Sequence, residues 1–119
     1  PRNVLHINNL AISYHKLEKF AEAEKYFLKG LELDPNYINI LNNIGNLKKD
    51  LNLIDDAIML HEKALELDNN LFLTHYNLAL IYQSIGNTSK AKKYFFFLPQ
   101  KLGFDGFKIV ERTQMEFNV

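Results

Sequence analysis

The chain has 119 residues, 47% of them hydrophobic, with fourteen Lys and Arg against fourteen Asp and Glu, which suits one soluble module able to bury a continuous core. Zero net charge leaves no overall field to draw in nucleic acid or an anionic membrane, and no apolar run approaches the roughly 18–20 residues of a membrane span. With no cysteine, disulfide frameworks, thiolate zinc sites and cysteine nucleophiles are excluded, and a cytoplasmic home is the expectation. The sequence starts at Pro1 and enters a helical pattern within a few residues, as expected of a piece of a longer protein.

Apolar residues stepping by three and four predict a first helix over 4–16, carrying Leu10 and Tyr14, and a second over 20–33, carrying Phe20, Ala23, Phe27 and Leu31. Asp34-Pro35-Asn36 breaks the pattern. Helices over 37–50 and 54–67 follow, closed by Asp68-Asn69-Asn70, and then helices over 71–84 and 88–98 separated by Gly86-Asn87-Thr88, a helix stop followed by an N-cap. Asn52 stands at the position of Gly86 and tolerates a left-handed backbone, whereas Glu18 stands there in the first pair and leaves that turn's geometry open.

The pairs are copies of one another at a period of 34. Ala23, Ala57 and Ala91 recur at that spacing, as do Leu10, Ile44 and Leu78, read as a core position, each followed by a small residue: Ala11, Gly45 and Ala79. Leu17, Leu51 and Ile85 repeat in the same way. Residues 1–105 therefore divide into units of about 4–37, 38–71 and 72–105, and 106–119 form a non-repeat tail. Small residues let paired helices approach closely while Tyr14, Phe27, Tyr82 and Phe95 fill the space between layers; three such hairpins suffice for a cooperative stack. Pro99 stands where Leu31 and Leu65 stand earlier, so the last helix should stop near Leu98.

At these residues the chain resembles the tetratricopeptide repeat family. The family's ordered large residue, Leu–Gly pair, Tyr, Ala, Phe, Ala and Pro fall in the first unit on Ile7, Leu10-Ala11, Tyr14, Ala23, Phe27, Gly30 and Pro35, with Lys48 and His61 replacing the Tyr and Phe in the second. The resemblance covers about residues 4–98 and implies an all-α solenoid of three helix–turn–helix units with an irregular tail. It also implies a scaffold that binds a protein or peptide in a concave groove, without cofactor or catalysis of its own. Asn9, Asn43 and Asn77 share the repeat position that lines that groove and resemble the asparagine ladders of O-linked N-acetylglucosamine transferase and kinesin light chain. An amide offers both a donor and an acceptor to a peptide backbone; the alternative for these asparagines is an exposed helix face or a bond between neighbouring helices.

The same register adds Asn8 and Ile12, then Asn39, Asn42 and Asn46, then Leu73, Tyr76 and Leu80 to the expected peptide-binding surface. Asn8, Ile12, Leu73 and Asn77 stand where the carboxylate-clamp subclass carries Lys, Asn, Lys and Arg, so capture of a chaperone's terminal carboxylate is disfavoured. His6, His15, His61 and His75 lack the i, i+4 spacing of a zinc helix, and His61 reads as a core histidine donating to a backbone carbonyl. Asp55-Asp56 suits a helix N-terminus, and Lys90, Lys92 and Lys93 a solvated face. The aromatic run ending in Phe95, Phe96 and Phe97 needs a cover, for which self-association through the C-terminal end is the expectation and the tail folding back or further sequence the alternatives. A substrate-presenting arm of a larger enzyme, such as a glycosyltransferase, is the alternative function.

Overall fold

A computed structural model describes residues 3–98, and every regular element among them is a helix. The helices are α1 (Val4–Lys16), α2 (Phe20–Leu33), α3 (Ile38–Asp50), α4 (Ile54–Leu67), α5 (Phe72–Ser84) and α6 (Thr88–Phe97), each within a residue of its expected bounds. They form three helix–turn–helix hairpins, the α-solenoid class that the repeat implies. Two compact units divide the chain, Pro1–Asn69 with α1–α4 and a second beginning at Asn70 with α5 and α6. The expected tail, residues 106–119, and the last part of the third repeat lie outside the described residues.

Local chemistry sets the helix ends. The Asn3 side chain accepts from the backbone N–H groups of Leu5 and His6, and that of Asn87 accepts from Lys90 at 3.2 Å, so α1 and α6 each start on an asparagine cap. Within all three hairpins the first helix stops in one and the same way. Glu18, Asn52 and Gly86 take φ of 59°, 63° and 80°, and their N–H groups donate to His15, Lys49 and Gln83. The next N–H, from Lys19, Leu53 and Asn87, reaches back to the carbonyls of Tyr14, Lys48 and Tyr82. That double bond pattern is a Schellman stop, which normally places Gly at the left-handed position. Glu18 therefore adopts the turn although its type disfavours it. Leu17, Leu51 and Ile85 are the C-cap residues of these stops, and Leu17 and Ile85 consequently lie on the surface. At the far end Leu98 is extended, with ψ of 129°, as a residue preceding proline must be.

In the first unit the core joins α1, α2 and α3 through Ala11, Ala23, Phe27, Ile40, Ile44 and Leu47. Gly30 leaves room for the Ile40 side chain of α3, which a Cβ at that point would overlap. Leu10 corrects the expected register: Ile44 and Leu78 are buried, but Leu10 is 42% exposed, because α2 covers Ile44 whereas no described helix precedes α1. Tyr14 stacks on Tyr26 with ring centroids 5.5 Å apart, and Lys48, which replaces that tyrosine in the second hairpin, instead reaches back to Glu24 of α2 at 2.7 Å. In the second unit Leu78, Ala79, Ala91 and Phe95 are buried, and Tyr82 stacks on Tyr94 at 5.8 Å.

Candidate functional site

In the first unit α1 and α3 border an open depression of about 660 Å³, lined by Ile12, His15, Lys16, Glu18, Phe20, Asn43, Asn46 and Asp50. Three residues of the expected groove, Ile12, Asn43 and Asn46, are brought together in it. Its organising contact is an amide pair: Asn43 Nδ2 donates to Asn8 Oδ1 at 3.0 Å. Asn8 is 3% exposed, so it departs from the expected role of a groove-lining contact. Its position on α1 turns the side chain inward, where it holds Asn43. Beyond this bond the Asn43 amide has a second N–H and a carbonyl oxygen.

Asn9, expected at the first rung, is exposed and is not among the residues lining this depression. Its backbone carbonyl accepts from the Ser13 hydroxyl one turn later. Asn39 is exposed and Asn42 half-buried on α3. In the second unit Asn77, Tyr76 and Leu80 are half-buried on α5 and Leu73 is exposed, with Tyr76 meeting Phe95 edge-on at 6.3 Å.

One end of the depression carries charge. His15 Nε2 donates to Asp50 Oδ2 at 2.6 Å, and the imidazole stands edge-on against Phe20 with centroids 5.8 Å apart. No sequence pattern points to Asp50, thirty-five residues on, as the partner of His15. One repeat plus one residue separates them, which is the spacing that facing turns of successive first helices produce.

Two expectations change with the side chains in view. Phe95 is buried within its own unit and Phe97 is half-buried, stacked on His75 with centroids 3.6 Å apart, so Phe96, at 55% exposure, is the most open of the three. The reason is the helical turn of α6, which carries Phe95 against α5 and Phe96 away from it. His61 does not donate to a carbonyl: it is fully buried, neither ring nitrogen has a hydrogen-bond partner, and Gly45 lies directly above the ring. Burial, with the nearby Lys49 charge second, lowers its pKa from 6.5 to about 4. Asp55 and Asp56 lie in the first turn of α4, and Lys90 and Lys93 lie over the Tyr82 and Tyr94 rings. No cluster of histidine and acidic side chains able to hold a metal occurs among the described residues, and no described helix is long and apolar enough to cross a membrane.

A tetratricopeptide repeat model matches residues 3–70 and a second such model matches residues 74–95. No curated protein matches the chain significantly. Among solved structures, the first TPR of Spaghetti (RPAP3), bound to the HSP90 peptide SRMEEVD, is similar with a TM-score of 0.83 at 15% identity, over 98% of this chain and 94% of that one. A tetratricopeptide repeat protein from Parabacteroides merdae ATCC 43184 is similar at 20% identity and a TM-score of 0.81, over 99% of this chain and 48% of the other. The Yersinia enterocolitica type III secretion translocator chaperone SycD is similar at 16% identity and a TM-score of 0.80, over 98% and 86%. At such identities the likeness is one of fold. The first repeat model alone spans more than half of the sequence, and the chain belongs to the tetratricopeptide repeat family.

Proposed function

We propose that the chain is a protein-interaction module that holds an extended peptide segment of a partner against α1 and α3, with the Asn43 amide as its central backbone contact. The observation that carries this reading is the Asn8–Asn43 bond beside an open depression in which Ile12 and Phe20 add apolar surface to polar side chains. A buried partner fixes the Asn43 amide in advance, so less freedom is lost when a peptide is bound. The bound HSP90 peptide in the similar Spaghetti structure supports peptide capture by this fold. Asn8 and Ile12, one buried and one apolar, supply no cation for a terminal carboxylate, so the reading is of an internal segment rather than a chain end.

A peptide backbone can bond the Asn43 amide through both its N–H and its carbonyl oxygen. Each such bond contributes ~0.5–1.5 kcal/mol net, so several act together. The test is titration calorimetry with dodecamers selected from a random library on the wild-type protein. Replacing Asn43 by alanine should weaken binding about two- to tenfold; it also unpairs the buried Asn8, so the melting temperature should fall by the equivalent of ~1–3 kcal/mol and the titration is run well below that transition. Equal affinity in Asn43→Ala refutes the reading.

A further inference from the structure

We infer that the depression between α1 and α3 selects peptides carrying a lysine or arginine side chain, which the Asp50 carboxylate receives. The inference rests on the peptide-binding reading above and adds to it the chemistry of the partner.

The argument begins with what stands at the charged end of the depression. Asp50 is the last residue of α3 and its side chain is 47% exposed. His15 donates to only one of its oxygens, Oδ2, and a carboxylate with two oxygens accepts several hydrogen bonds. The His15 side chain is itself 18% exposed and rests against Phe20, so the carboxylate is held by a wedged ring. A charged group fixed in this way loses little freedom when a second donor arrives.

The surroundings favour a cation there. Glu18 adds a second carboxylate to the lining, against the single lysine, Lys16. α1 ends at Lys16 and α3 at Asp50, so the carbonyl ends of two helices, each the negative pole of a macrodipole, flank this end of the depression. Ile12 and Phe20 offer apolar wall to the methylene stem of a long basic side chain. An acidic residue at the same point would meet Asp50, Glu18 and both helix ends, and an apolar one would leave the Asp50 carboxylate desolvated without a new partner.

Random dodecamers displayed on phage would be selected in parallel on the wild-type chain and on Asp50→Asn, Asp50→Lys and Asn43→Ala, with melting curves for each. Asp50 is exposed enough for these changes to leave the fold intact, and the neutral Asn variant stands in should the Lys variant fail to fold. The expected result is a lysine or arginine enriched about tenfold at one position of the wild-type selection, the factor that one charge-assisted hydrogen bond supplies. That enrichment disappears with Asp50→Asn and turns to Asp or Glu with Asp50→Lys. Asn43→Ala should lower recovery without changing the basic preference. Equal composition from wild type and Asp50→Asn overturns the inference while leaving the peptide-binding reading standing, provided that Asn43→Ala still lowers recovery. Failure of the wild-type chain to enrich any peptide overturns both.

Discussion

His61 offers the sharpest quantitative test of the packing. Its imidazole is fully enclosed, with no partner for either nitrogen, and its pKa falls from 6.5 to about 4. Between those values the unfolded chain takes up a proton at this site that the folded chain refuses. Unfolding therefore gains a proton as the pH drops, and stability declines with falling pH, from about 6.5 until the folded pKa near 4 is passed. A difference of about 2.5 units at ~1.36 kcal/mol each amounts to roughly 3 kcal/mol. Leucine at position 61 keeps an apolar side chain of similar bulk and removes the titration, while every other ionisable group remains. Urea unfolding followed by far-ultraviolet circular dichroism, repeated in small steps from neutral pH to below pH 4, gives the two stability curves. The wild type should lose about 3 kcal/mol more than His61→Leu over that span. At neutral pH the variant should be the more stable, since an unpaired buried polar group costs ~1–3 kcal/mol. Parallel curves would refute the reasoning, because they would mean that the ring is hydrated or paired in solution.

Gly45→Ala places a methyl 2.7 Å from His61 Nε2, in a ring that has nowhere to retreat. Overpacking of ~1–3 kcal/mol outweighs the ~1 kcal/mol gained in helix propensity, so chemical denaturation should show a net loss of about 1 kcal/mol. Glu18→Gly relieves a left-handed non-glycine residue at φ of 59° on a half-turn that every hairpin shares, and thermal melting should rise by the equivalent of ~1 kcal/mol. Ala23→Leu, at a fully buried site in the core of α1–α3, should destabilise by ~1–3 kcal/mol in urea titration.

The helices were legible because helical periodicity, the Asp-Pro-Asn break and the 34-residue copy number all agree, and local chemistry decides such features. What periodicity could not supply was the surroundings of each position. Leu10 and Ile44 share a repeat position, yet only one has a helix over it; a repeat fixes the face a residue occupies and leaves open whether a neighbour exists there. Asn8 and Asn9 are adjacent amides whose difference is one hundred degrees of helix turn, enough to bury the first and expose the second. Glu18 takes the left-handed turn because two backbone bonds and the packed hairpin outweigh its own preference. Asp50 escaped notice because its partner, His15, lies on another helix and no pattern of residue types announces a pair at that distance.

The stacked tyrosines have an optical meaning. The chain has six tyrosines and no tryptophan, and four of the six form two face-to-face pairs, Tyr14–Tyr26 and Tyr82–Tyr94, inclined by only 6° and 5°. Lys48 breaks this pairing in the middle hairpin and substitutes an ion pair with Glu24. Rings held parallel at that range couple their transitions, so the near-ultraviolet dichroism of this protein should come chiefly from its first and third hairpins while the second stays dark. The molecule thereby carries its own reporter: fading of the tyrosine band ahead of the helical signal would mark the first and third hairpins opening first, with no label introduced.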